Sequence, residues 1–228
     1  MTSKTIKIQE SSIYSEPTAF HHQVFLDEEF EDRGNYQQLI NLLLTSGDND
    51  VITFINNHHG GRVEVLLPLI NMLEVTAAHT ITLCTGSQSS AATIFAMYCD
   101  ELVALDHASF MIHEMQYGSI GTAANIAKEV EATQRRNRKL MKEAYGGFLS
   151  DVEIEQVLSG QEIYLDADEI NERWPCRVEW RQKFLDEKQE KMLAKLQEVT
   201  HNVPTADEDV VATPKPAAKK ARKKSPDA

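Results

Sequence analysis

The chain has few cysteines, no long apolar run and no excess of positive charge, and each shortage removes a class of protein. Three cysteines in 228 residues, Cys84, Cys99 and Cys176, are too few and too scattered for a disulfide scaffold, and none stands in a CxxC or similar ligand spacing. Reduced thiols in a cytoplasmic setting are expected, with no metal and no cofactor. No apolar stretch approaches the roughly 20 residues that cross a bilayer, and no charged segment precedes an apolar one at the N-terminus. The sequence therefore predicts a soluble, unexported chain with no membrane partner. Lys and Arg total 23 against 35 Asp and Glu, a net charge of −12, which excludes nucleic-acid binding over the whole surface because that mode needs cations to displace counterions. Glycine is also sparse, ten in all, so the adjacent pair Gly60-Gly61 stands out.

With 42% hydrophobic residues, a chain of this length can bury one substantial core. Short β-branched runs at Gln23 to Leu26, Val51 to Ile55, Thr80 to Thr85, Glu101 to Ala104 and Ser109 to His113 alternate with helical spacings. The helices are read around Tyr36 to Leu44, Arg62 to Thr76, from Ala91, Thr122 to Tyr145, and Asp151 to Leu158. That alternation predicts an α/β layered fold with a mainly parallel sheet. Four segments follow: an arm over 1–22, a body over 23–180, a helix over 181–203, and a tail over 204–228 with no core former, expected to be disordered. Gln161 to Leu165 reads as a connector. Ala167 to Glu172 reads as one helical turn that stops before Trp174-Pro175, and a separate helix is expected over Lys183 to Val199. The Thr122 to Tyr145 helix carries only a thin apolar stripe, Ile126, Val130, Leu140 and Met141. Such a helix is expected to project and find partners on another subunit. The lysine-rich tail offers at most a weak nucleic-acid contact, a solvated tail being the simpler reading.

The chemistry concentrates in Thr80 to Met97, TITLCTGSQSSAATIFAM. A strand that passes through Gly86 and small residues into a helix leaves the first helical amides unpaired at the turn, a place that suits a developing anion. Ser90 is then a candidate nucleophile, with the Ala91 N–H beside it as oxyanion donor. The alternative is a serine that only caps the helix. Gly60-Gly61 ends the preceding strand, so both turns are expected at one crevice beyond the carboxyl ends of neighbouring strands. Among eight histidines, His113 lies downstream of Ser90 at the mouth of the same sheet.

Three segments in this order, INNHHGG (Ile55 to Gly61), GSQSS (Gly86 to Ser90) and MIHEM (Met111 to Met115), resemble the ClpP-type serine proteases, the proteolytic subunits of caseinolytic complexes. The similarity runs from about Gln23 to Arg173. It implies a ClpP/crotonase-like ββα-spiral with a projecting handle helix, the helix from Thr122. It also implies a serine endopeptidase of polypeptide substrates, assembled as a homo-oligomer of stacked rings. Carried over by position, Ser90 matches the nucleophile, His113 the general base, and Gly60 and Ala91 the oxyanion-hole amides. Glu162 stands where the family has an aspartate, and Asp166 is the second choice for that acid. His58-His59 replaces the family's Ser-Pro. The arm shows no apolar loop of the kind that engages an ATPase ring, so dependence on such a motor is not implied. The resemblance extends to capsid maturation proteases of tailed viruses, which would place a viral member in the host cytoplasm. Two other readings stay open: an inactive scaffold that kept the fold, and a crotonase-like enzyme acting on acyl groups.

Overall fold

A computed structural model describes residues 4–8, 11–15 and 18–201, with side chains from 18 to 194. The tail over 204–228 lies outside the described residues. The chain divides into two compact units, 1–186 and 187–228.

In the first unit, β1 (Lys4–Ile8) and β2 (Ser11–Ser15) pair antiparallel as a two-stranded sheet. The main sheet has four parallel strands in the order β3-β4-β5-β7: β3 (His21–Leu26), β4 (Val51–Asn56), β5 (His79–Cys84) and β7 (Glu101–Ala104). Burial alternates along β4, so Ile52, Phe54 and Asn56 face inward, as the two-residue period of a strand requires. Helices α1 (Gln37–Thr45) and α2 (Val63–Val75) are the crossovers that a parallel sheet needs. They bury Leu39, Leu43, Leu66, Leu69 and Leu73. A second sheet, order β6-β8-β9, consists of β6 (Ser87–Ser89), β8 (Ser109–Ile112) and β9 (Ile163–Asp166). The parallel strand-and-helix units plus this small side sheet give the α/β spiral that the resemblance implies.

Helix α3 (Ala91–Met97) is buried along its whole length. Phe95 packs edge-on against Phe54, centroids 5.0 Å apart, and lies 6.0 Å from Phe30. Burying a side chain of this size contributes about 2 kcal/mol, so the helix after Ser90 is anchored by the core. Helix α4 (Ala123–Tyr145) behaves differently along its length. Its first half is mostly exposed, with Ile126 and Val130 half-buried, whereas Asn137, Met141, Ala144 and Tyr145 are buried. Tyr145 shares a 2.6 Å hydrogen bond with Thr93 of α3. One end is thus docked and the other projects.

Two expectations are corrected. The connector at 161–165 becomes β9, because Leu165 supplies a buried side chain and β8 supplies an unpaired edge. The break at Trp174-Pro175 is absent: α6 (Ala167–His201) continues through Pro175. Proline removes one ladder bond, but tertiary bonds on its far side hold the helix. Arg177, 1% exposed, donates to Gly146 O and Met97 O, both at 3.1 Å, and Arg181 donates to Cys99 O at 2.7 Å. These guanidinium groups satisfy carbonyls at the ends of α3 and α4, which a helix cannot pair by itself. Capping-box helix α5 (Asp151–Leu158), with Ser150 and Glu153 bonded reciprocally, completes the unit. In the second unit, α6 from Glu187 is exposed as far as residue 194, and Met192 and Leu193 remain 59% and 51% exposed.

Replacing Arg177 with Ala strands two buried carbonyls and is expected to lower the unfolding free energy by about 3 kcal/mol in urea titration. Arg177→Met should recover only the packing part of that loss. An Ala variant as stable as the native chain would show that the helix does not depend on these bonds.

Candidate active site

Ser90 adopts φ 57°, ψ −126°, and is the one non-glycine residue with positive φ among the described residues. That region costs an L-residue about 1–3 kcal/mol, and it persists only when the surroundings over-determine it. They do so from both sides. The Ser90 N–H donates to Met111 O of β8 at 2.9 Å. The Ser90 carbonyl accepts from Thr93 N at 3.1 Å and Thr93 Oγ1 at 2.7 Å. The serine therefore stands at a sharp corner between β6 and α3, half-buried, with the Ala91 amide in the unpaired first turn behind it. The three-residue strand β6 inside GSQSS was not visible as a period in the sequence. It pairs with β8, and this pairing is what brings Ser90 to Met111.

The Gly-Gly turn meets the same corner. A Cβ on Gly60 would lie 2.5 Å from Ser89 O, 2.7 Å from Ala91 N and 3.0 Å from Ser90 Cβ, and Gly60 itself has φ +101°. On the other side a Cβ on Gly61, φ +121°, would strike the Phe30 backbone at 2.6 Å. Phe30 N donates to Gly60 O at 2.6 Å and Arg62 N to Phe30 O at 2.8 Å. The two glycines are thus a wedge between the Phe30 segment and the serine corner, and any side chain would force them apart. Gly60 and Ala91, two of the candidate residues, are in direct contact; the Gly60 N–H is directed to His58 Nδ1, 3.2 Å away.

His113 lies at the end of β8, two residues past the Met111 carbonyl that holds Ser90, about 7 Å of extended chain. It is half-buried, and among the described residues no hydrogen bond joins its ring to Ser90 or to a carboxylate. The antiparallel register of β8 and β9 ends at the pair Ile112 and Ile163, next in the chain to His113 and Glu162 respectively. The Glu162 carboxylate is exposed and accepts from Tyr164 Oη at 2.5 Å. Asp166 pairs in register with Ser109, roughly 13 Å of strand from His113. Its Oδ1 accepts from Glu169 N at 3.0 Å while its own N–H donates to Glu169 Oε2 at 3.0 Å, a reciprocal start for α6. Ser90, Gly60 and Ala91 therefore converge, His113 and Glu162 adjoin the last β8–β9 pair, and Asp166 is engaged elsewhere.

His58 is the residue that sequence reasoning passed over. It is 3% exposed, its ring packs edge-on against Phe30 with centroids 4.6 Å apart, and its Nε2 has no partner among the described residues. Because Nδ1 accepts from Gly60, the proton sits on Nε2 and the ring is neutral. Burial, joined by the nearby His59, pushes its pKa down to about 4 against the opposing carboxylate of Asp27. The signal available in the sequence was the departure from Ser-Pro itself.

The strained serine corner, the glycine wedge and the side sheet define an α/β protein with a sharp strand-to-helix turn. The chain belongs to the Clp protease family, whose model matches residues 9–171. It is similar to the ATP-dependent Clp protease proteolytic subunits of Bacteroides fragilis and Bacteroides thetaiotaomicron. Each is 32% identical over 127 residues, covering 54% of this chain and 59% and 56% of those proteins respectively. The subunit of the same name from Chlorella vulgaris is 25% identical over 167 residues, 66% of this chain and 83% of that protein. The chain thus spans somewhat more than half the length of the Bacteroides relatives. No helix among the described residues is long and apolar enough to cross a membrane.

Acidification tests the burial of His58. Its folded pKa lies below the 6.5 of an unfolded histidine, so the unfolded state binds the extra proton, and stability falls as pH drops from 6.5 towards 4, by about 3 kcal/mol in full. Glu153 and Glu155, held below 4.5 by Ser150 and Arg173 and by Arg138 respectively, lose their contribution only below that value. Between pH 6.5 and 4.5 His58 should therefore contribute to the slope, and His58→Asn should reduce it in denaturant titrations. An unchanged slope in that variant would show that the ring is not buried in the folded chain.

Proposed function

We propose that the chain is a serine endopeptidase of ClpP type that hydrolyses polypeptides within a homo-oligomeric compartment. Ser90 Oγ attacks the peptide carbonyl carbon and its proton passes to His113. The tetrahedral oxyanion is held by the Ala91 and Gly60 amides. The C–N bond then breaks, the leaving amine takes the proton from His113, and water releases the acyl group by the same route in reverse. Glu162 orients the imidazole from the facing strand, with Asp166 the less favoured acid because its carboxylate starts α6. The observation that carries this reading is the strained Ser90 corner with Gly60 packed against it. Strain of that kind is retained where exposing a hydroxyl beside the first amide of a helix is worth its cost.

The exposed half of α4 supports assembly through that helix, as stacked rings in the family would require. Its apolar positions Ile126 and Val130 gain burial only from another subunit. ATP dependence is part of the relatives' names alone, and nothing in the arm of this chain argues for a motor. One observation favours the second reading, a scaffold with a drifted site: Glu162 is bonded to Tyr164, and His113 makes no hydrogen bond among the described residues.

A fluorophosphonate probe separates the two. Attack forms an Oγ–P bond, expels fluoride and sends the proton to His113. The native chain should label at Ser90, Ser90→Ala should not label, and His113→Ala should slow labelling at least about 100-fold. Glu162→Gln should slow it more than Asp166→Asn. A well-folded, assembled chain that never labels would instead be a scaffold.

A further inference from the structure

The Gly60 amide has one proton, and His58 holds it. The imidazole is buried, and its other nitrogen has no partner among the described residues, so its contact with Gly60 is the one side-chain hydrogen bond it makes. Packing alone would be better served by an apolar residue, because an unpartnered buried N–H costs about 1–3 kcal/mol. The carbonyl of Gly60 is fixed independently by Phe30 N at 2.6 Å, whereas the preceding residue, His59, is exposed. The peptide between His59 and Gly60 can therefore turn while the rest of the wedge stays in place, and glycine tolerates the change in φ.

We infer that His58 is a latch on the oxyanion turn: its Nδ1 draws the Gly60 N–H away from the serine corner, and that amide joins Ala91 as a donor only when the 59–60 peptide rotates out of the contact. This rests on the reading of Ser90 as the nucleophile. His58 is a positioning residue, acting through Gly60 and never touching substrate. Burial keeps the ring neutral at working pH, so Nδ1 stays an acceptor and the latch is set before substrate arrives.

Asn and Leu have the same branched outline, but only Asn offers an acceptor near the place of Nδ1, so the pair isolates the hydrogen bond from packing. The measurement is the rate of fluorophosphonate labelling at Ser90 in full-length native, His58→Asn and His58→Leu chains, with melting curves for each. The latch requires His58→Leu to label about three- to tenfold faster than the native chain, the worth of one hydrogen bond. His58→Asn should stay within about twofold of native. Should the Leu variant fail to fold, His58→Ala carries the same expectation. Native and Asn chains that label while a folded Leu or Ala variant labels no faster would overturn the latch and leave the peptidase standing. If no variant labels, both readings fall together. A Leu variant that is slower, with Asn restoring the native rate, would mean the imidazole assists the turn and would equally overturn the latch.

Discussion

Everything at the site depends on two chain segments approaching more closely than side chains permit. Gly60 lies against Ser89, Ser90 and Ala91 at distances that no Cβ could occupy, and Gly61 does the same to Phe30. This contact brings two separate strand ends together. It also fixes where an amide from the first turn can stand relative to a hydroxyl on the second. The strain at Ser90 is sustained by the same closeness, because the corner has neither room to relax towards Gly60 nor freedom to leave the Met111 carbonyl.

The rigidity needed to hold such a corner comes from the core behind it. Helix α3 has no exposed residue, Phe95 sits among aromatic neighbours, and the buried Arg177 and nearby Arg181 pin its far end to α6. Desolvation lowers the pKa of Arg177 to about 10, which leaves it charged at neutral pH, and the carbonyls of Met97 and Gly146 supply the partners that water would otherwise provide. A polar anchor of this kind is costly to remove and specific in direction. It explains how a helix can run through Pro175 without yielding.

The sequence shows the parallel sheet clearly because its strands are short β-branched runs separated by helical spacings. Thr80 to Met97 is readable as a strand, a turn and a helix from composition alone. What escaped reading is non-local. Gln161 to Leu165 has no alternation of its own and becomes β9 only because β8 offers an edge; Ser87 to Ser89 is too short to show a period. Pro175 signals a break that Arg177 overrides from 31 and 80 residues away. Among the candidate site residues, Ser90 and Ala91 were legible from turn chemistry, the role of Gly60 came from resemblance, and the approach of the two turns was expected from their shared place at strand ends. His113 was singled out by its place downstream of Ser90 and Glu162 came from resemblance; they adjoin the last β8–β9 pair, and no hydrogen bond joins their side chains among the described residues. His58 was hidden because a histidine beside another histidine in a turn gives no hint of which one the fold will bury.

A structure of the full chain after reaction with a fluorophosphonate tests the central claim most directly. The account expects phosphorus bonded to Ser90 Oγ and a phosphonyl oxygen about 2.7–3.1 Å from the Ala91 amide, at the face of the Gly60 turn. Phosphorus on any other residue, or an oxygen directed away from that turn, would contradict it.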